Sequence, residues 1–376
     1  MKKVLAFLML IAVTGFVFAG ENKKTEETNN DDTKTITLSS FLSDVEISGN
    51  WFLSFQSNRI ENVNSNQFLL KRGYLTFKKN LNKNVSIRYT HDITVDKEGD
   101  GIGDIELRFK YIYIKYSLPN LGFFTKPYVE FGVVHRPWMD FEQKINKYRV
   151  QGSMFLERIG ILSSADFGVT VVSLFGGKMD EDYQDNVSSS YPGKYGSISL
   201  GVYNGGGYHA LENNKNKIID GRLTIRPLPE VIPGLQLSAT GLYGKGNTEM
   251  APDFSFGAGV LTYESQNVIL VGQYYSGKGD QKGKAIDTLG NAYSQTGYSA
   301  FGEFKIPATP FSVWGRYDNF KRELGSSDFK TNRYIAGITY YFVNGSKILI
   351  DMDSFDESNS SFKNDLVFEF AVEVKF

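Results

Sequence analysis

The 376-residue sequence predicts an all-β fold: a transmembrane antiparallel β-barrel of about sixteen strands with both termini on the periplasmic side. Three observations predict it. From Val45 onward, segments of about ten residues alternate apolar with polar side chains and are separated by Gly, Asn, Asp, Pro and Ser clusters. Beyond residue 19 no apolar run approaches the roughly 20 residues of a spanning helix, so only a closed barrel could satisfy the backbone of this chain in lipid. The final segment alternates up to an aromatic residue, Phe376, and resembles the C-terminal signal read by the outer-membrane assembly machinery.

The chain opens with Lys2 and Lys3, an apolar run from Val4 to Phe18 broken by Thr14 and Gly15, and Val17-Phe18-Ala19 ahead of Gly20. A charged n-region, an h-region and a small-residue cleavage site make residues 1–19 a secretory signal. The alternative, a membrane anchor, asks for a longer run. Residues 20–44 are polar and read as a periplasmic lead-in, and 45–376 as the barrel. Removing Lys2 and Lys3 takes 41 basic and 42 acidic residues to 39 and 42, a net of −3 with nothing to attract nucleic acid. The chain has no Cys, so neither disulfides nor a lipid-bearing Cys can hold it, and a sheet closed on itself can.

Parity assigns faces. In 85–93, Val85, Ile87, Tyr89, His91 and Ile93 face one way and Arg88 and Asp92 the other; in 219–226, Asp220, Arg222, Thr224 and Arg226 face inward. The last strand sets Leu366, Phe368, Phe370, Val372, Val374 and Phe376 outward against Asp365, Glu369 and Glu373. Counting back from Phe376, long connections (354–363, 320–332, 277–296, 244–252) alternate with short ones (344–346, 307–310, 264–267, 227–233), which sets the long ones outside. The segment 176–194 strains this count, being long and polar yet on the periplasmic side; one reading is an unusual turn, the other a miscount of strands before it. Two unrecognised strands in 150–175 would relieve the strain and make eighteen.

The least strand-like stretch, 136–164, carries Arg136, Lys144, Lys147, Arg149 and Arg158 among Trp138, Phe141 and Tyr148. It is expected to fold inward and narrow the pore, a barrel of this size otherwise being open; the competing reading is an extracellular loop with a short helix.

Inward parity collects Arg72, Arg88, Arg108, Lys110, Arg222, Arg226, Arg316 and Arg333 as candidate pore-lining residues, a tilt toward anions. The inward faces read mainly as Ser, Thr, Asp, Glu and Arg, and the carboxylates among them, Asp92, Asp220, Asp318 and Glu369 included, make wall salt bridges the plainer account. In 96–106, Asp96, Glu98, Asp100 and Asp104 surround Gly101 like the opening of a calcium loop, but position twelve is Leu107 and the Glu stands one place early at Glu106. An acidic hairpin tip competes with a loop-stabilising Ca²⁺ there, and no other cofactor is expected. Tyr111, Tyr113, Tyr340, Tyr341, Phe311 and Trp314 read as interfacial aromatics, with Tyr74 or Trp314 as lumenal platforms for a solute. The three His residues, His91, His135 and His209, have no metal-ligand spacing, and no Ser–His pair is set for catalysis, so no enzyme is expected.

Asp166-Phe167-Gly168-Val169, Val202-Tyr203-Asn204-Gly205 and Gly221-Arg222-Leu223 before Pro227 give the chain a resemblance to the phosphate-selective porin O and P family over most of 45–376. The resemblance implies a sixteen-stranded, trimeric channel for small hydrophilic or anionic solutes. The sequence departs from that pattern in lacking a coiled-coil N-terminal extension and an alignable basic ladder, so phosphate specificity is not carried over. A transporter for a hydrophobic solute, which would need a plug, and a non-conducting adhesive barrel, which would fill its lumen with bulky apolar residues, are the competing functions.

Overall fold

The computed structural model describes residues 44–96, 101–325, 327–358 and 365–376; the signal, nearly all of the lead-in, Glu98 and Asp100 lie outside them. Sixteen strands form one closed antiparallel barrel: β1 (Val45–Ile60), β2 (Val63–Asn80), β3 (Val85–Val95), β4 (Ile105–Ser117), β5 (Phe124–His135), β6 (Ala165–Phe175), β7 (Gly196–Tyr203), β8 (Ile218–Ile225), β9 (Leu235–Lys245), β10 (Asp253–Glu264), β11 (Val268–Lys278), β12 (Ser294–Lys305), β13 (Phe311–Glu323), β14 (Asp328–Tyr341), β15 (Lys347–Glu357) and β16 (Asp365–Lys375). Each strand pairs with its sequence neighbours, and β16 closes on β1. The count is sixteen, because 150–175 contains one strand, β6; the long segment 176–194 is a true connection at the end where β1 begins and β16 finishes.

Alternation sets the lipid-facing surface. Exposed Phe311 and Tyr340 pair at one end of β13 and β14, and Tyr298, Tyr317 and Tyr334 stack in a row nearer the other end. Between these rows lie Leu261, Leu270, Val313 and Ile338, an apolar band flanked by aromatic residues.

Two bulges break the alternation on the early strands. One between Phe52 and Leu53 leaves Lys71 beside Arg72 on the inner face. The other, between Thr90 and His91, pairs Thr90 with Tyr111 and His91 with Phe109, so that Lys110 and Tyr111 both face the lumen. Tyr111 and Tyr113 are therefore not interfacial: Tyr111 is buried against His135, ring centroids 4.2 Å apart, and Tyr113 packs edge-on against both. Tyr341 also points inward, donating to Glu303 at 2.7 Å.

The segment after β5 enters the lumen. It forms α1 (Pro137–Ile145) and α2 (Phe155–Arg158). On α1, Trp138, Phe141, Glu142 and Ile145 recur at helical spacing and face the wall, leaving Asp140, Gln143 and Lys144 on the opposite side. Trp138, Phe141, Ile145, Phe155 and Leu156 join one core with inward-facing Phe254, Phe256, Val260, Val271, Phe301, Trp314 and Phe320. Each large side chain so buried contributes roughly 1.5–3 kcal/mol. The inner face of β10–β13 is thus more apolar than expected, and Trp314 is no solute platform: it lies under Tyr148, centroids 4.4 Å apart.

Candidate functional site: a lumenal passage beside the inserted loop

The inserted loop is rooted where its chain leaves β5. Arg136, wholly buried, donates from Nε to Asp220 at 2.9 Å and from Nη1 to Asp166 at 3.1 Å, with its guanidinium 4.8 Å from the Tyr203 ring. Asp166 also accepts from the backbone amides of Phe167 and Gly205. Gly168 pairs with Tyr203 in the sheet, where a Cβ would collide with the Val202 carbonyl oxygen. The motif residues Asp166 to Gly168 and Val202 to Gly205 thus converge on the root of the loop.

Further staples hold the rest. Arg316 bridges Asp318 at 2.8 Å and donates to the Ser153 carbonyl at 2.9 Å. Gln151 donates to Asp353, and Lys71 reaches both Glu369 and the Gln151 carbonyl at 2.6 Å. Outer loops close over this half of the lumen: the Gln281 amide donates to the Ile161 carbonyl, its side chain binds Ser163 and Gly206, and its carbonyl accepts from Asn247.

A space of about 450 Å³ stays open between the inserted loop and the wall of β16 and β1–β5, reaching the end of the barrel at Ser48 and Phe376. Its lining includes six Lys or Arg side chains (Arg88, Lys110, Lys144, Lys147, Arg149 and Lys375) and two carboxylates, Asp140 and Glu373. At its inner limit the Tyr74 hydroxyl accepts from Lys110 at 3.2 Å and from Arg149 at 3.1 Å, so loop and wall meet there. Lys110 sits 4.5 Å from the Tyr74 ring centroid and Arg88 4.6 Å from that of Tyr111. Aromatic faces hold a cation without cancelling its charge, as a carboxylate would. Arg88 also meets His135 Nε2 at 3.2 Å, while His135 Nδ1 lies 2.9 Å from Glu130. Beyond Tyr74, Arg72 and Arg108 continue the basic line, sharing Asp92 at 2.7 and 3.0 Å, and Tyr208 from an outer loop donates to the same carboxylate.

The candidate residues therefore divide. Arg88 and Lys110 border the open space, Lys110 with only 4% of its surface exposed, and Arg72 and Arg108 lie just beyond it, whereas Arg222, Arg226 and Arg316 point inward without bordering it. Arg222 lies between the rings of Phe141 and Tyr191, and Arg226 over Tyr183. Arg333 is spent on Asp353, with bonds of 2.7 and 2.6 Å. In the loop, Lys144 and Arg149 line the passage with Lys147, whereas Arg136 is its buried root and Arg158 is turned back onto Gln151 and Ser153. Parity could not foresee Lys71, Tyr111 or Asp140 in these places, because bulges and a helix set them.

Burial alone would raise the Asp140 carboxyl, but His135, Lys144, the Tyr191 hydroxyl and Arg88 together hold it well below the usual carboxylate range. Glu142, on the wall side of α1, is pushed up to about 7 by burial, against the opposing pull of Arg316 and the Gln273 hydrogen bond.

At the 96–106 tip, Asp96 and Asp104 close a hairpin through backbone bonds, Asp96 N to Asp104 O at 2.8 Å. Among the described residues no group of three or more His, Asp or Glu side chains is placed to hold a metal ion.

No protein-family model matches the chain, and no curated protein matches it in sequence. Solved structures do match in fold. The chain is similar to an anion-selective porin from Comamonas acidovorans (11% identity, TM-score 0.60, covering 88% of this chain and 99% of that one). It is similar to OmpF of Salmonella typhi in complex with daunomycin (12%, 0.59, 88% and 97%) and to the outer membrane channel DcaP of Acinetobacter baumannii (11%, 0.53, 89% and 97%). The closed sixteen-strand barrel of this chain thus matches the fold of outer-membrane porins.

Proposed function

We propose that this chain is a porin of the bacterial outer membrane that passes small hydrophilic solutes along the wall of β1–β5 and favours anions. The observation that carries the proposal is the passage lining, in which six Lys or Arg side chains face two side-chain carboxylates. Three of the six, Arg88, Lys110 and Arg149, are positioned by Tyr74 and Tyr111. In a narrow, poorly screened space such side chains replace part of an anion's lost hydration. The fold likeness to a porin described as anion-selective points the same way. Outer-membrane lipids and the assembly machinery, which would read the strand ending at Phe376, are the expected surroundings. A trimer is supported by a structural match to an OmpT of Vibrio cholerae in trimer form (11% identity, TM-score 0.55, covering 88% of this chain and 99% of that one).

Planar-bilayer recording tests the reading. Conductance steps in salt and a reversal potential of anion sign across a salt gradient are expected; a silent protein would sink the channel, and a cation-sign potential the anion preference. A second reading, a non-conducting barrel, draws on the apolar core between the loop and β10–β13; silence in the bilayer is its outcome. For the acidic tip, we keep Ca²⁺ on Asp96 and Asp104, with Glu98 and Asp100, as a proposal that calorimetric titration against an EGTA blank decides: absence of heat leaves a plain hairpin.

A further inference from the structure

Two inserts enter the lumen from opposite ends of the barrel and meet inside it. The outer one carries α1. The other is the connection of β6 to β7, which includes α3 (Glu181–Asn186). Its base is closed by a bridge between Lys178 and Gly193 and by Met179 N bonding to the Pro192 carbonyl at 2.8 Å. Tyr191 rises from it to donate from its hydroxyl to Asp140 at 2.6 Å, with its ring 5.4 Å from that of Phe141. Arg222 of β8 spans both inserts, 4.3 Å from the Phe141 centroid and 4.7 Å from that of Tyr191. Ser190, from the same connection, borders the open passage.

Resting on the porin reading above, we propose that the connection 176–194 is a specificity-determining floor, which sets the width and charge of the passage by fixing α1 and the Asp140 carboxylate from below. Apolar packing, which is non-directional and resists separation more than sliding, holds the far side of α1 together with a bond from Gln273 to Glu142 at 2.7 Å. The bond from Tyr191 is directional and ends on a charged acceptor. It turns one Asp140 oxygen toward the floor. Asp140 released from that bond would pair with Lys144 or Arg88 and cancel cations that face the solute. With the floor gone, the space beneath α1 would join the passage.

The test compares three full-length proteins in planar bilayers: the parent, Tyr191→Phe, and a shortened chain in which Asn-Gly replaces 179–192 and closes the hairpin at the Lys178–Gly193 pair. Heat-modifiable gel mobility establishes that each barrel is assembled. Tyr191→Phe is expected to lower the anion-to-cation permeability ratio by roughly twofold and to add open-channel noise; the shortened chain is expected to raise conductance by roughly twofold. If the shortened chain does not assemble, Tyr191→Phe decides through reversal potential and noise. Variants that match a conducting parent in conductance, noise and reversal potential overturn the floor and leave the porin reading standing. A silent parent overturns both.

Discussion

Arg136 Nε lies 2.9 Å from Asp220, a partner 84 residues away in sequence, and both side chains are closed off from water. With Asp166 on its other edge, this guanidinium is the hinge pin of the inserted loop. Removing one partner from such a buried set leaves charge uncompensated and costs about 3–5 kcal/mol. Arg136→Met should therefore lower the unfolding free energy of the barrel in lipid vesicles by that order, read as a lower urea midpoint. The triple change with Asp166→Asn and Asp220→Asn should recover most of the loss. An unchanged midpoint in the single variant would mean the loop is not rooted there.

Selectivity should follow the cations that line the passage and not those packed beneath the loop. A unit charge about 4 Å from a permeating ion in water-like surroundings is worth ~1 kcal/mol, favourable for an anion and unfavourable for a cation, so about thirtyfold at most in the anion-to-cation ratio. Lys110→Gln and Arg149→Gln should each lower the anion-to-cation ratio toward that limit in reversal-potential measurements. Arg316→Gln, beneath the loop, should leave the ratio alone and reduce stability by exposing Asp318 to burial without its partner. A ratio that responds to Arg316 and ignores Lys110 would move the passage elsewhere.

Tyr74 gives a way to separate position from charge. Tyr74→Phe keeps the ring under Lys110 but removes the acceptor shared with Arg149, and bonds to charged groups are worth about 1.5–3 kcal/mol each. Thermal unfolding should therefore come earlier, while the sign of ion preference stays. Loss of anion preference in this variant would show that the hydroxyl, not the cations, sets it.

Glu142 makes stability depend on pH. Its carboxyl is pushed from 4.5 up to about 7 in the folded barrel, so the folded state holds the proton more tightly than the unfolded chain. Stability should fall as pH rises from about 4.5 to about 7 and level off above, by up to ~3 kcal/mol if no other group compensates. Glu142→Gln should flatten this part of a urea-midpoint profile; a parent profile rising across the same window would contradict the burial argument.

Strand number, strand faces and loop sides were legible because a period of two is written directly in the residues, as in Asp220, Arg222, Thr224 and Arg226. The bulges at Lys71 and Lys110 were not legible, since one extra residue changes pairing without changing composition. Parity also reads direction and not cover: Arg222 and Arg88 look alike in sequence, yet one lies under Phe141 and Tyr191 and the other borders open space. A usable sign was present in β10 and β11, whose segments FSFGAGVLTY and VILVGQYY are apolar on both faces and so call for an apolar partner inside as well as lipid outside.

The pairing of β1 with β16 bears on how the molecule is made. Ser54 meets Glu369 across that seam, 315 residues apart in the chain, while every other strand pair joins neighbours in sequence. Local hairpins can therefore zip early, and the seam is the single most costly closure, being the longest in sequence. Until it forms, both outermost strands present bare hydrogen-bonding edges that any other extended chain could capture. The slow, aggregation-exposed step of biogenesis is accordingly ring closure, and substitutions at Ser54 or Glu369 should act on the yield of assembled barrels before they act on anything the finished barrel does.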